Sequence, residues 1–216
     1  GKTAAACAIV SRMRHRGLAV HAFKATGVSL RRDILAMEDS GARRSMIFTD
    51  LGIVTTTAAS GPALTRTMLT EMTQGRPDVV VFELGDGILG AYGVEAILAE
   101  RDIRQALTAV VLSANDPVAA WGGVKLLRER FDIEPCAVTG PATDNAVGVN
   151  IIQDQMGVRA VNAMAAGAEL GDHIIDSLGL GAQRGRQTVV IGIVLAATQF
   201  AVTMMGLDMT ATEGGV

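Results

Sequence analysis

The chain has 216 residues, of which 49% are hydrophobic and 3% aromatic, and its formal net charge is −3. This length and hydrophobic content predict one large domain with a sizeable core and exclude a mainly disordered chain. The weakly acidic balance gives no attraction of the whole protein to nucleic acid. Cys7 and Cys136 stand alone, so neither a zinc site nor a disulfide framework is predicted. A cytoplasmic location without a secretory signal is expected.

The two ends of the chain carry the most informative pattern. It begins with Gly1-Lys2-Thr3 and ends with Glu213-Gly-Gly-Val216, so the end placed before the beginning spells Glu-Gly-Gly-Val-Gly-Lys-Thr. In a phosphate-binding loop, glycines let backbone N–H groups surround phosphate oxygens, Lys neutralises the phosphates and Thr holds Mg²⁺. We therefore expect a circular permutation with Gly1 and Val216 adjacent. The alternative is a chain truncated inside its loop, with an unrelated glycine-rich tail.

Short apolar strands alternate with helices along the chain. The hydrophobic pattern predicts helices over residues 4–17, 31–40, 63–73, 94–106 and 118–130. It predicts strands over residues 18–23, 78–83, 109–113, 136–139, 159–161, 189–195 and 201–207. This alternation indicates an α/β fold, with a doubly wound, mostly parallel sheet and helices on both faces, as in P-loop NTPases.

The organisation along the chain follows from these elements. Residues 1–180 are predicted to form the main part of a nucleotide-binding domain, residues 181–187 a linker, and residues 188–216 the strands that complete the domain at the phosphate loop. Residues 188–207 carry no charge and are long enough to cross a bilayer, so a membrane helix is the alternative. Gln199 and Thr203 favour buried strands, which have the same hydropathy.

A nucleotide site is predicted where the closed loop enters the first helix. Lys2 would bridge phosphates and Thr3 would bind Mg²⁺. Asn115 and Pro141 lie in polar loops that close two later strands, where a base could be recognised, although helix caps or turns explain these loops equally well. The predicted nucleotide-binding residues are Gly214, Gly215, Val216, Gly1, Lys2, Thr3, Ala4, Asn115 and Pro141.

Acidic residues near strand ends are the candidate magnesium ligands. Glu83 ends the strand over residues 78–83, and ligands of open α/β sheets collect outside the carboxyl ends of the strands. Glu83 is therefore predicted to hold Mg²⁺ together with Thr3, with a solvated turn acid as the alternative. Asp50 completes the predicted metal set, while Asp33 and Asp86 are competing acids.

A second group of candidates follows the strand over residues 18–23. Lys24 can meet a carboxylate or a phosphoryl group in transfer, so it is predicted to be catalytic together with Lys2 and Glu83. A plain turn with a surface lysine is the alternative there, and a solvated helix face is the alternative for the two arginines. The predicted substrate-binding residues are Thr26, Gly27, Arg31 and Arg32.

Three segments resemble the motifs of the dethiobiotin synthetase-like P-loop proteins. They are Val-Gly-Lys-Thr across the two chain ends, Phe23-Lys-Ala-Thr-Gly27, and Val79-Val-Val-Phe-Glu83-Leu-Gly-Asp-Gly87. The resemblance implies a single ATP-binding domain in which ATP activates a carboxyl group before ring closure or amide formation. It assigns roles to Lys2, Thr3, Lys24 and Glu83. Departures from the family pattern at Ala25 and Leu84 favour a different small acidic substrate.

These patterns predict a magnesium-dependent, ATP-binding enzyme that activates a small carboxylate by ligation or phosphoryl transfer, with GTP as the alternative nucleotide. The expected partner is a small anionic carboxylate, without nucleic acid or membrane, and a homodimer is left open. The alternative function is a nucleotide switch or accessory NTPase of the partition or metallochaperone type. The loop also resembles that of partition and septum-site ATPases, which have Lys in place of Glu213. A membrane-anchored fragment is the third interpretation.

Overall fold

The computed structural model describes residues 1–180 and 187–196. Its strands are β1 (Val20–Lys24), β2 (Arg44–Ile47), β3 (Val79–Gly87), β4 (Ala109–Ser113), β5 (Ala137–Thr139) and β6 (Val189–Leu195). They form one sheet in the order β2-β1-β3-β6-β4-β5, and every neighbouring pair is parallel. A parallel sheet covered by helices confirms the predicted α/β fold class.

The described residues contain eight α-helices. They are α1 (Lys2–His15), α2 (Arg31–Asp39), α3 (Gly61–Thr73), α4 (Val94–Ala99), α5 (Arg101–Ala106), α6 (Pro117–Phe131), α7 (Ala146–Met156) and α8 (Gly167–Ser177). Two short 3-10 helices occupy Phe48–Leu51 and Pro141–Thr143. None of the helices in the described ranges is both long and apolar enough to cross a membrane.

The middle of the sheet is apolar on both faces. Residues 79–82 of β3 have no exposed surface, and the ring of Phe82 stacks on that of Phe23 in β1 with centroids 4.8 Å apart. Gly192 of β6 is the register partner of Phe82. A β-carbon built on Gly192 would lie 3.0 Å from the Leu107 side chain, which would have to shift by a few tenths of an ångström to accommodate it. Burial on both faces explains why these strands have continuous apolar sequences.

Helix α1 packs on the centre of the sheet and begins at its carboxyl edge. It contacts β3, β6 and α8. Thr3 reaches Glu83 in β3, and Gly1 lies beside Ser113, the last residue of β4. The start of α1 is therefore flanked by the carboxyl ends of two strands. The residues of α1 that face the core are Ala5, Ala6, Ile9, Val10 and Met13.

Most predicted elements are confirmed with small shifts at their ends, but three differ. β3 continues to Gly87 instead of turning after residue 83, because Gly87 pairs with Leu195 after a register shift. The predicted helix over residues 94–106 is two helices, since Glu100 has an extended ψ of 120°. Residues 159–161 contribute a single bridge from Ala160 to Val138 instead of a strand.

Among the strands and α-helices of the described residues, β2, α7 and α8 were not predicted from the hydrophobic pattern. β2 is an edge strand in which only Ile47 is buried, so it has no apolar run to mark it. α8 packs along α1, with Leu170, Ile174 and Ile175 buried. These three buried residues recur at i, i+4 and i+5, which is helical spacing. Three apolar positions among glycines are too few to indicate a helix from the sequence.

The predicted tail is described only in part. Residues 189–195 form β6, between β3 and β4, so this half of the 188–207 segment is a buried strand. The predicted strand over residues 201–207 lies outside the described residues, as do Gly214, Gly215 and Val216 and most of the predicted linker. The expected adjacency of Gly1 and Val216 stays a prediction for the same reason.

Candidate functional site

The first turn of α1 lies at the edge of the sheet, and its backbone N–H groups have no partner within the helix. Gly1 is the N-cap, and its carbonyl oxygen accepts the first helical hydrogen bond from Ala5 N at 3.0 Å. The cap makes no side-chain hydrogen bond, and the first turn contains no acidic residue. The N–H groups at such a helix end carry a partial positive charge and have no partner within the helix. This end can bind an anion.

A hydroxyl and a carboxylate meet beside this helix end. Thr3 Oγ1 donates a hydrogen bond to Glu83 Oε2 at 3.0 Å, although 80 residues separate them in sequence. Glu83 is only 2% exposed. Burial raises the pKa of Glu83 above its ordinary value, while the nearby Lys24, Lys2 and the Thr3 hydroxyl oppose this rise. A cation bound beside Glu83 would therefore stabilise the charged form of this carboxyl group.

Two lysines, Lys2 and Lys24, lie near Glu83. Lys24 is the last residue of β1 and the register partner of Glu83 on the adjacent strand. Its Nζ lies 2.5 Å from Asp33 Oδ2 in the first turn of α2. Burial lowers the pKa of Lys2, and the charge on Lys24 lowers it further, whereas Glu83 raises it. Two ammonium groups thus share a small, poorly hydrated region with two carboxylates.

The loops after β1 and within β3 are held together by hydrogen bonds. Thr26 Oγ1 donates to the carbonyl oxygen of Gly85 at 3.1 Å. Gly27 N donates to Thr56 Oγ1 at 3.2 Å, and Thr56 Oγ1 donates to Tyr92 O at 2.9 Å. These contacts join the loop after β1 to β3 and to the loop that contains Tyr92. Thr26 therefore supports the loop rather than facing a ligand.

A cavity of about 680 Å³ opens in front of these groups. Its charged lining combines three cations with three acids: Lys2, Lys24, Arg32, Asp33, Glu83 and Asp86. Val28, Leu30 and Leu89, three exposed apolar residues, line the same cavity. The cavity therefore has cationic and anionic groups together with apolar side chains.

The structure brings most of the predicted chemical groups to this cavity. The predicted residues that line it are Gly1, Lys2, Thr3, Lys24, Gly27, Arg32 and Glu83. Thr26 is buried behind it. Arg31 points to solvent and pairs with Asp50, with 3.4 Å between Arg31 Nη1 and Asp50 Oδ1. Asp50 Oδ2 also accepts a hydrogen bond from Ile47 N at 3.0 Å. Asp50 therefore caps a 3-10 helix, and it does not line the cavity with Thr3 and Glu83.

The remaining predicted nucleotide residues lie elsewhere along the carboxyl edge. Ala4 lines a second cavity, of about 500 Å³, between α1 and the start of α8. Asn115 follows β4, and Pro141 begins the 3-10 helix after β5. Their neighbours Asp116 and Asn145 are helix N-caps, accepting hydrogen bonds from Ala119 N at 2.8 Å and Gly148 N at 2.9 Å. Helix capping thus accounts for part of both polar loops.

Two acids of the cavity were only competing candidates in the sequence. Asp33 lies in the cavity because it occupies the first turn of α2, and the helical pattern beginning at Arg31 is the signal that could have placed it there. Asp86 has a left-handed φ of 67°, which is uncommon for a residue with a side chain. No cluster of three or more His, Cys, Asp or Glu side chains suited to a metal occurs within residues 1–180 and 187–196.

Comparisons with known proteins were made at the level of families, of curated sequences and of solved structures. None of the three found a match to this chain. The similarity to dethiobiotin synthetase-like proteins therefore depends on the three sequence motifs alone and stays a prediction.

Proposed function

We propose that this protein is a magnesium-dependent, ATP-binding enzyme that activates a small carboxylate substrate. The contact between Thr3 Oγ1 and Glu83 Oε2 at the first turn of α1 carries this proposal. It joins the residue that follows Lys2 to an acid of β3 that is level with Lys24, the last residue of the neighbouring strand β1. Phosphate and magnesium binding requires these two kinds of group beside a helix N-terminus.

The phosphate part of the proposal is supported by the start of α1. The N–H groups of its first turn, which have no partner within the helix, and the Lys2 ammonium group are the donors that polyphosphates need. A bound polyanion would also favour the charged form of Lys2, whose pKa is lowered by burial. Phosphate binding would thus relieve an unfavourable electrostatic environment.

The metal part is supported by the chemistry of the donors. Mg²⁺ prefers oxygen ligands and is usually held by one or two carboxylates together with phosphate oxygens and water. Thr3 and Glu83 supply a hydroxyl and a carboxylate, and Asp33 and Asp86 add carboxylates to the same cavity. When bound, the ion would neutralise phosphate charge. The carboxylate of Glu83, which burial makes costly to ionise, would gain a counter-charge.

The second reactant is assigned to the Lys24 side of the cavity. Lys24 and Arg32 are cations that can bind a carboxylate, and both line the cavity together with Lys2. A volume of about 680 Å³ falls within the range of small-molecule sites, so it can hold a reactant beside phosphates. Catalysis would then depend on holding the carboxylate and the phosphate close together.

The proposal is tested by thermal unfolding with ATP or GTP, each with and without Mg²⁺. Mg²⁺ and ATP in large excess over Kd should raise Tm by about 5 °C or more. Lys2→Ala should abolish the rise, because it removes the ammonium group at the helix end. Lys125→Ala is the matched control: Lys125 is half exposed on α6 and should keep the full rise.

The same experiment separates the proposal from its rivals. No stabilisation by either nucleotide, or full stabilisation of Lys2→Ala, would contradict nucleotide binding at this site. Release of ADP that depends on an added small carboxylate would support the enzyme. Nucleotide-dependent dimerisation without such turnover would support a switch protein instead.

A further inference from the structure

A buried hydroxyl without a partner lies next to the start of α1. Ser113 is the last residue of β4 and has no exposed surface. Its carbonyl oxygen accepts a hydrogen bond from Ala196 N at 2.9 Å, but its Oγ has no hydrogen-bond partner among the described residues. Buried polar atoms without partners are rare because each costs free energy. Ser113 Oγ therefore calls for an explanation.

The hydroxyl is directed at the junction between α1 and the loop after β5. A β-carbon built on Gly1 would lie 2.6 Å from Ser113 Oγ, and one built on Gly140 would lie 2.8 Å from it. Both neighbours thus cover the hydroxyl with backbone alone, and Gly1 is itself exposed. A small shift of Gly1 would open the hydroxyl toward anything bound at the end of α1.

The neighbouring strand shows how such a hydroxyl is normally satisfied. Thr139 of β5 is the register partner of Ser113 and is equally buried. Its Oγ1 accepts a hydrogen bond from Ala163 N at 3.0 Å. The two strand ends therefore differ. The hydroxyl on β5 holds a loop in place, whereas the one on β4, beside the helix end, donates to no other group in the part of the chain that the structure describes.

We propose that Ser113 is a phosphate-binding residue, whose hydroxyl donates a hydrogen bond to a phosphate oxygen held at the N-terminus of α1. This inference rests on the proposed function. It adds a donor from the β4 side of α1, opposite the Thr3 and Glu83 contact on the β3 side. The helix end is then flanked by the Ser113 hydroxyl on β4 and the Glu83 carboxylate on β3, and the bound polyphosphate lies between these two strands.

Ser113→Ala is the test, with binding of Mg²⁺–ATP and of inorganic tripolyphosphate measured by calorimetry. Hydrogen bonds to charged groups contribute enough that affinity should fall about tenfold or more for both ligands. The unliganded variant should unfold at the same Tm as the wild type or higher, because a buried unpaired hydroxyl is removed. Weaker binding of tripolyphosphate by Ser113→Ala would show that the Ser113 hydroxyl contacts phosphate and not the nucleoside.

Thr65→Val is the matched control. Thr65 Oγ1 is the other buried hydroxyl without a partner in the described ranges, and it lies on α3, outside both cavities described above. This variant should also keep the unliganded Tm but bind both ligands as the wild type does.

Three results would overturn the inference. One is unchanged affinity of Ser113→Ala in a protein whose binding still depends on Lys2, which would leave the proposed function intact. Another is a lowered Tm of unliganded Ser113→Ala, which would show that the hydroxyl has an internal partner. The third is wild-type protein that binds neither ligand, which would remove the proposed function as well.

Discussion

Lys24 Nζ lies 2.5 Å from Asp33 Oδ2, and the two side chains are only 6% and 13% exposed. This pair joins the end of β1 to the first turn of α2. Ion pairs with so little exposure lose hydration on folding, so each partner depends on the other for its stabilisation. The pair also sets the charge that an incoming substrate meets, since the ammonium group is already partly neutralised.

Asp33→Asn should destabilise the protein strongly, because it leaves the Lys24 ammonium buried without its counter-ion. A loss of about 3 kcal/mol or more in the free energy of unfolding is expected from urea denaturation. The double variant Lys24→Met with Asp33→Leu should recover most of this loss. Removal of the exposed partner of Lys125, in Glu129→Gln, should change stability by less than about 1 kcal/mol. Equal, small effects at both pairs would contradict the burial argument.

The pKa of Glu83 predicts a pH dependence of stability. Burial raises it above 4.5, the ordinary value, so the native state binds this proton more tightly than the unfolded state does. The free energy of unfolding should therefore fall as the pH rises from 4.5 through the native pKa, and then level off. Glu83→Gln has no titrating group at this position. Between pH 4.5 and the native pKa of Glu83, the free energy of unfolding of the wild type should therefore fall relative to that of the variant. A relative gain with rising pH would contradict the prediction.

Gly85 is predicted to tolerate no side chain. A β-carbon built there would overlap the carbonyl group of Thr26, which is backbone and cannot move aside cheaply. Gly85→Ala should lower the free energy of unfolding by about 2 kcal/mol or more. Gly122→Ala is the control, because Gly122 lies inside α6 with open space around it, and alanine there should add about 1 kcal/mol. Chemical denaturation of both variants measures the contrast, and equal stabilities would argue against close contact of the two loops.

The two predicted metal acids should differ in function. Glu83→Gln should remove the magnesium-dependent part of nucleotide stabilisation, because an amide is a poor ligand for Mg²⁺. Asp50→Asn should keep it, since Asp50 pairs with Arg31 and caps a 3-10 helix outside the cavity. Thermal unfolding with ATP over a range of Mg²⁺ concentrations distinguishes them. Loss of the magnesium effect in Asp50→Asn alone would reverse the assignment.

The sequence predicted the elements that are marked by local patterns. The predicted first and last residues of β4 and β6 agree with the structure. Strands that are buried on both faces are nearly continuous apolar runs, so their ends are easy to locate in the sequence. Lys24 is the last residue of β1, as the end of the apolar run indicated, whereas β3 continues past Glu83 to Gly87. β2 was missed because an edge strand with one buried residue has no such run. Asp50 instead of Asp33 was predicted to be a magnesium ligand, because the local sequence does not distinguish an acid that caps a turn from one that lines a cavity.

By itself, the sequence determined the α/β class, the buried strands and the chemistry available at their ends, because hydrophobic periodicity and residue type are local properties. Tertiary structure decided which of these groups meet. β6 is last in the described chain yet lies between β3 and β4, and that order sets what flanks α1. Only in the folded chain does Thr3 reach Glu83 across 80 residues, and only there does Ser113 face the same helix end without a hydroxyl partner among residues 1–180 and 187–196. Contacts between residues so far apart in sequence depend on strand order and register, which the local sequence does not encode.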